Sequence, residues 1–272
     1  FYAYGIAEGP QGVPTVAQLG AAARAEFVFD VPELGIGAFA QKGAEPKFAA
    51  DLSTGIGDFD LFLEVALRNR KDVDRVRYAP NARLPDLEAQ QSWETDAEYK
   101  QSRALELAEA WFPRFRARGY RPQTVSGLSY SIKYHDNDVF TISAEYFFNP
   151  LGYSNSNVYP GLIAPRPEPL RDPATYFYLG KHYAALVLTA PSPFSLDLHS
   201  FTLSTLGNLS DRSFVTQLSY SLALLTHLRF EAYVAGHYGR PSGEFRLRVR
   251  FEGVQRLPAA LLDTGIALRL SI

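Results

Sequence analysis

The chain has 272 residues, with 27 Lys and Arg against 29 Asp and Glu and a formal net charge of -2, which excludes the basic excess a nucleic-acid binder needs. It holds no Cys and no Met; disulfides, thiolate metal sites and cysteine nucleophiles are therefore excluded together, and the missing initiator points to a processed protein with sequence upstream. No run of about 18 uncharged apolar residues occurs, which excludes a transmembrane helix, although 46% of residues are hydrophobic and 14% aromatic.

Phe1 to Ile6 reads as the end of a strand, broken by Gly9-Pro10 and Pro14. Thr15 to Phe27 is alanine-rich and predicts a short helix. The next strands are expected at Leu34–Gln41 and Phe48–Ile56. A tight turn at Gly57-Asp58 leads into Phe59–Asn69, where Leu61, Leu63, Val65 and Leu67 oppose Asp60, Glu64 and Arg68. From Lys71 to Gly119 the alternation stops. Its first half, with Pro80 and Pro85, reads as loop. Its second half opens on a capping-box pattern, Thr95-Asp96-Ala97-Glu98, and predicts a helix to about Phe112, stopped by Pro113. A connection of this length suits a plug, gate or docking surface, or more plainly a structured external loop.

Gln123 to Phe148 is the clearest stretch. Leu128, Tyr130, Ile132 and Tyr134 alternate with Gly127, Ser129, Ser131 and Lys133. After the turn His135–Asp138, Phe140, Ile142, Ala144, Tyr146 and Phe148 oppose Thr141, Ser143 and Glu145. A side-chain period of two is what a strand imposes. One face is apolar with aromatics near its ends and the other is small and charged, the pattern of a wall between lipid and a polar lumen. Asn149 to Pro173 is a second long loop. Strands are then expected at Tyr176–Thr189, at Phe194–Leu206 with a β-bulge near His199-Ser200, at Ser213–Leu225, Leu228–Tyr238 and Glu244–Glu252, and at Gly265–Ile272. Short connections alternate with long ones along this path. The orientations of these strands do not return the last one to the side of the short turns, which points either to a misread strand near Gly253–Asp263 or to a lacking segment.

On these alternating runs the chain resembles Gram-negative outer-membrane β-barrels of the porin-like kind, from about Leu34 to Ile272. The resemblance implies an all-β transmembrane antiparallel barrel of roughly twelve strands. It would follow an N-terminal segment (residues 1–33) and carry a partly helical insertion at 70–120. It implies a channel or transporter for small hydrophilic solutes, or else a non-conducting anchor or scaffold in an envelope complex. The implied partners are outer-membrane lipid, lipopolysaccharide and other envelope proteins held through the long loops, with no cofactor, no enzyme activity and no nucleic acid.

Candidate residues follow from the same alternation. The charges expected on the lumen side are Asp60, Glu64, Arg68, Lys133, Glu145, Arg229, Glu231 and Arg269. A basic ladder, Arg246, Arg248 and Arg250, is expected opposite Phe245, Leu247, Val249 and Phe251. This ladder either favours anions or belongs to a salt lattice with Asp51, Asp60, Glu64, Glu145 and Asp197. Trp111, Arg114, Arg116 and Arg118 form a candidate docking segment for phosphates, acidic glycans or a protein, or else a cationic helix end. The five histidines lack metal-ligand spacing. His199 beside Ser200 would normally point to the opposite face, so the pair makes a poor hydrolase.

Overall fold

The computed structural model describes residues 2–7, 19–69, 74–79, 95, 106, 108–116, 118–134, 139–163, 178–247 and 261–270. The fold is all-β. In chain order the strands are β1 (Tyr2–Ala7), β2 (Leu19–Val28), β3 (Glu33–Gln41), β4 (Lys47–Ile56), β5 (Phe59–Asn69), β6 (Arg75–Val76), β7 (Arg114–Phe115), β8 (Tyr120–Lys133), β9 (Val139–Phe148), β10 (His182–Pro191), β11 (His199–Asn208), β12 (Ser213–Leu225), β13 (Leu228–Gly239) and β14 (Leu262–Leu270). All but β6 and β7 form one twelve-stranded antiparallel sheet in which each strand pairs with its neighbours in sequence. β6 and β7 pair only with each other.

The connections sort by length. Residues 29–32, Gly57-Asp58, 134–138, 192–198 and Thr226-His227 join strands at one end of the sheet; residues 8–18, 70–119, 149–181 and 240–261 lie at the other, with the shorter 42–46 and 209–212. β1 starts and β14 finishes at the short-turn end, so the two edge strands run antiparallel to each other. No pairing joins those two edges among the described residues.

Several expected elements are corrected. Leu19–Val28 is a strand paired with β1 and β3, and no helix covers it. Alanine has the best helix propensity, but pairing on both sides outweighs a preference worth well under 1 kcal/mol per residue. β10 begins at His182 rather than Tyr176, because Leu179 to Lys181 pair with Tyr153 and Asn149 instead. No bulge marks His199-Ser200: β11 starts there, after a 3-10 turn at Pro193–Ser195. Glu244–Arg246 is a 3-10 turn, so the expected strand at Glu244–Glu252 does not start as one, and the twelve strands then end on the correct side. Of the helix expected from Thr95 to Phe112, Glu106 and Ala108–Trp111 are helical, while most of the remainder lies outside the described residues, as does the turn His135–Asp138.

The register sorts side chains cleanly. Cross-strand partners share a face, and following the pairs from β2 to β14 puts Ala23, Ala38, Phe48, Leu67, Pro122, Phe148, Leu186, Leu203, Leu218 and Val234 on one side. No Asp, Glu, Lys or Arg of the twelve strands lies on it. Its large side chains are open to the surroundings: Ile36 is 50% exposed, Leu218 45% and Ile266 77%. Aromatics gather at its margins. Phe48–Tyr120 (6.1 Å) and Phe214–Tyr238 (5.4 Å) pair at the long-loop end, with Phe59–Tyr130 (4.7 Å) and Phe201–Tyr220 (5.0 Å) toward the other. The two histidines on this face, His182 and His199, bond Tyr146 (2.6 Å) and Tyr220 (2.8 Å) through Nδ1.

Gly127 is needed where it stands. On the polar face, a Cβ there would meet the Phe62 ring at 2.4 Å, so the glycine forms a slot for the aromatic. The sheet has little core of its own. The buried apolar cluster of Val76, Phe112, Val158, Tyr159, Leu162 and Leu179 lies in the long connections.

Candidate functional site

Two regions carry polar chemistry: the charged face of the sheet and the rim at its long-loop end.

On the charged face, Asp60, Glu64, Arg68, Lys133, Glu145, Arg229, Glu231 and Arg269 all share the side opposite the apolar one. Opposite charges meet there. Arg24 holds Asp51 through two bonds of 2.7 and 3.0 Å and also reaches Glu26 at 2.9 Å, and Arg269 reaches Glu231 at 2.8 Å. Ser129 bonds Asp60 at 3.5 Å, and Gln217 donates to Ser219 at 2.8 Å. Between β11 and β14 a cavity of about 830 Å³ is lined by Ser200, Thr202, Gln217, Ser219, Arg229, Glu231, Tyr233 and Arg269, among others. Of the expected basic ladder, only Arg246 is among the described residues. Arg246 folds back and donates to the Gly239 carbonyl at 2.7 Å, because its segment leaves the sheet. Arg248 and Arg250 lie outside the described residues.

The rim is built on the short connection between β11 and β12. Asp211, fully buried, sits between β11 and β12. Its Oδ1 accepts from the Ser213 amide (2.9 Å) and hydroxyl (2.6 Å). Its Oδ2 accepts from Tyr159 (2.8 Å), Asn208 (3.0 Å) and the Glu244 amide (2.8 Å). Five donors thus converge on this one carboxyl group. Asn208 also donates to Glu244 Oε2 at 2.8 Å, and Tyr183 donates to the same oxygen. The Leu179 amide donates to Glu244 Oε1 at 3.3 Å. Two connections therefore converge on one turn: that between β9 and β10, through Tyr159 of α1 (Tyr159–Ile163) and through Leu179 and Gly180, and that after β13, through Glu244.

Burial pushes the Glu244 carboxyl up to about 7, against the hydrogen bonds from Tyr183 and Asn208 that oppose the rise. Burial, with the charge of Asp211 next to it, also lifts the Tyr159 hydroxyl far above the usual phenol range. The hydroxyls of Ser213 and Tyr159 are both spent on Asp211, and the donors and acceptors of the network satisfy one another. It works as a lock. Among the described residues no group of three His, Asp or Glu side chains is placed to hold a metal ion. Ser200 and His199 lie on opposite faces, the histidine against Tyr220 and the serine opposite Ser221.

The docking segment is partly tied down. Arg114 lies in β7, and Arg116 is ion-paired at 2.7 Å with the buried Asp74. Trp111 and Arg118 are exposed.

No family model matches the chain, and no curated protein matches it. Among solved structures it is similar to OmpT (in-vitro folded), an outer membrane protein of Vibrio cholerae. The TM-score is 0.38 at 8% sequence identity, over 93% of this chain and 63% of that one. The chain thus spans less than two thirds of that protein's structure.

Proposed function

We propose that the chain closes into a barrel in the outer membrane of a Gram-negative bacterium, apolar face to lipid, and conducts small hydrophilic solutes along its charged face. The observation that carries this reading is the separation of charge across twelve strands: every strand charge is on one side, and the other side's large apolar residues are exposed. Exposed apolar surface on this scale is unfavourable in water by roughly 25 cal/mol per Å². In lipid the same surface is at home, and a charge on it would be the liability. The aromatic margins fit the two interfaces. Phe230 and Tyr238 lie on β13 eight residues apart, which at about 3.4 Å per residue and a 40° tilt is about 21 Å, near the height of a barrel's apolar band.

Antiparallel edge strands and an even strand number allow β1 to meet β14 and leave no free edge in the bilayer. Twelve strands spaced about 4.8 Å apart at that tilt close to a ring about 24 Å across between backbones. This leaves a water-filled bore once side chains are placed.

The packed rim favours one second reading, a closed barrel whose loops anchor an envelope protein, with Trp111 and Arg118 exposed on it. Conductance in planar bilayers separates the two. A channel gives stable unitary steps that vanish with denatured protein; an anchor gives none while still inserting.

A further inference from the structure

Near the lock, a second rim feature remains unexplained. Residues 75–78, Phe115 of β7 and the stretch Gly152 to Val158, with Lys181, line an open pocket of about 330 Å³. Three cations line it: Arg75, Arg77 and Lys181. Among its described lining residues there is no carboxylate. The nearest acid in sequence, Asp74, is buried and already paired with Arg116. Arg75 is fixed in place. It donates to the Gly152 carbonyl at 2.9 Å and lies over the rings of Tyr153 (4.8 Å) and Phe115 (5.7 Å), while its Nε is buried without a protein partner. Arg77 lies over Phe115 at 5.3 Å.

Three like charges around one small cavity repel one another unless an anion sits among them. The aromatic rings fix both guanidinium planes, so little side-chain freedom is lost when they bind. Asn155 and Asn157 stand at the same cavity, and their amides suit hydroxyl groups. A volume of about 300 Å³ is the small end of ligand sites.

We propose that this pocket binds a phosphate monoester of sugar size, the phosphate among Arg75, Arg77 and Lys181 and the ring toward Tyr78, Tyr153 and the two asparagines. A phosphate is preferred to a carboxylate because its double charge and three free oxygens match three separate donors. The ligand is either a free sugar phosphate or the phosphorylated headgroup of a glycolipid; both present the same chemistry. The proposal rests on the pocket and stands whether or not the barrel conducts.

The test uses full-length protein folded in detergent micelles and titrated calorimetrically with glucose 6-phosphate and with glucose. A parallel arm measures the shift in thermal midpoint in zwitterionic vesicles with and without a monophosphorylated glucosamine lipid. Arg77→Gln and Lys181→Gln are the variants, since Arg75 also supports the Gly152 turn. Binding of glucose 6-phosphate but not glucose, weakened at least tenfold by each variant and by raised salt, supports a free ligand. A midpoint shift confined to the phospholipid-sugar vesicles and lost in both variants supports the headgroup. No response in either arm, or equal responses from parent and variants, overturns the proposal.

Discussion

Leu218 gives the sharpest test of which face meets lipid. It is the sixth of the thirteen residues of β12 and is 45% exposed on the uncharged side. At about 3.4 Å per residue and 40° of tilt it lies within about 3 Å of the strand's midpoint. Leu225 pairs with Leu228 on the same face, past a register shift, and lies about 16 Å from that midpoint, beyond the edge of an apolar band about 25 Å tall. Ser219, next to Leu218, is on the charged face. An arginine at the bilayer midplane costs about 2–4 kcal/mol, and one near the interface about 0–1. Leu218→Arg should therefore lose about 2–4 kcal/mol of folding free energy, Leu225→Arg no more than about 1, and Ser219→Arg little. The assay is reversible urea titration of the protein folded into phospholipid vesicles, followed by tryptophan fluorescence, with Trp111 as one reporter. The ordering is the prediction. Equal costs at positions 218 and 219 would show that both faces meet the same medium, and the membrane assignment would fail.

Three further outcomes are expected. Asp211→Ala removes the acceptor for Tyr159, Ser213 and the Glu244 amide at once; leaving buried donors unmet costs about 1–3 kcal/mol each, so the thermal midpoint should fall and rim amides exchange faster. Glu244 is raised from 4.5 to about 7 in the folded state. Its contribution is therefore complete below about pH 4.5 and lost as pH rises through 7, by up to about 3 kcal/mol at 1.36 kcal/mol per pH unit. Hydrogen exchange at Leu179 and Gly180, corrected for intrinsic rate, should rise between pH 6 and 8, and Glu244→Gln should flatten that profile; a flat profile in the parent would contradict the burial argument. Gly127→Val should cost about 1–3 kcal/mol by overpacking against Phe62, and adding Phe62→Ala should recover much of it; purely additive losses in chemical denaturation would deny the contact.

Much of the sheet was legible because a period of two survives wherever one face is uncharged. Phe59–Asn69 and Ser213–Leu225 were read with the bounds they have, since leucines and aromatics alternate there with Asp, Glu, Gln and Ser. Leu19–Val28 was not, because alanines at 21, 22, 23 and 25 fill both faces and erase the alternation. At Glu244–Glu252 the alternation is real, yet Glu244 is captured by Tyr183, Asn208 and the Leu179 amide, which pull its segment off the sheet. The lock itself was invisible from local pattern. Gly207 to Asp211 looks like any polar turn, and what distinguishes Asp211 is a tyrosine 52 residues away and an amide 33 residues away.

That separation sets an order of assembly. Asp211 takes its place only when β11 and β12 pair, an event between neighbours in the chain. Tyr159, Leu179 and Glu244 arrive from connections that have no purchase until then. The rim therefore cannot form ahead of the wall, and its long loops stay unpinned until the strands have paired. Once they dock, rim order becomes a signal that β10 to β13 are in register, and a protease that cuts loose loops would remove chains whose sheet is incomplete.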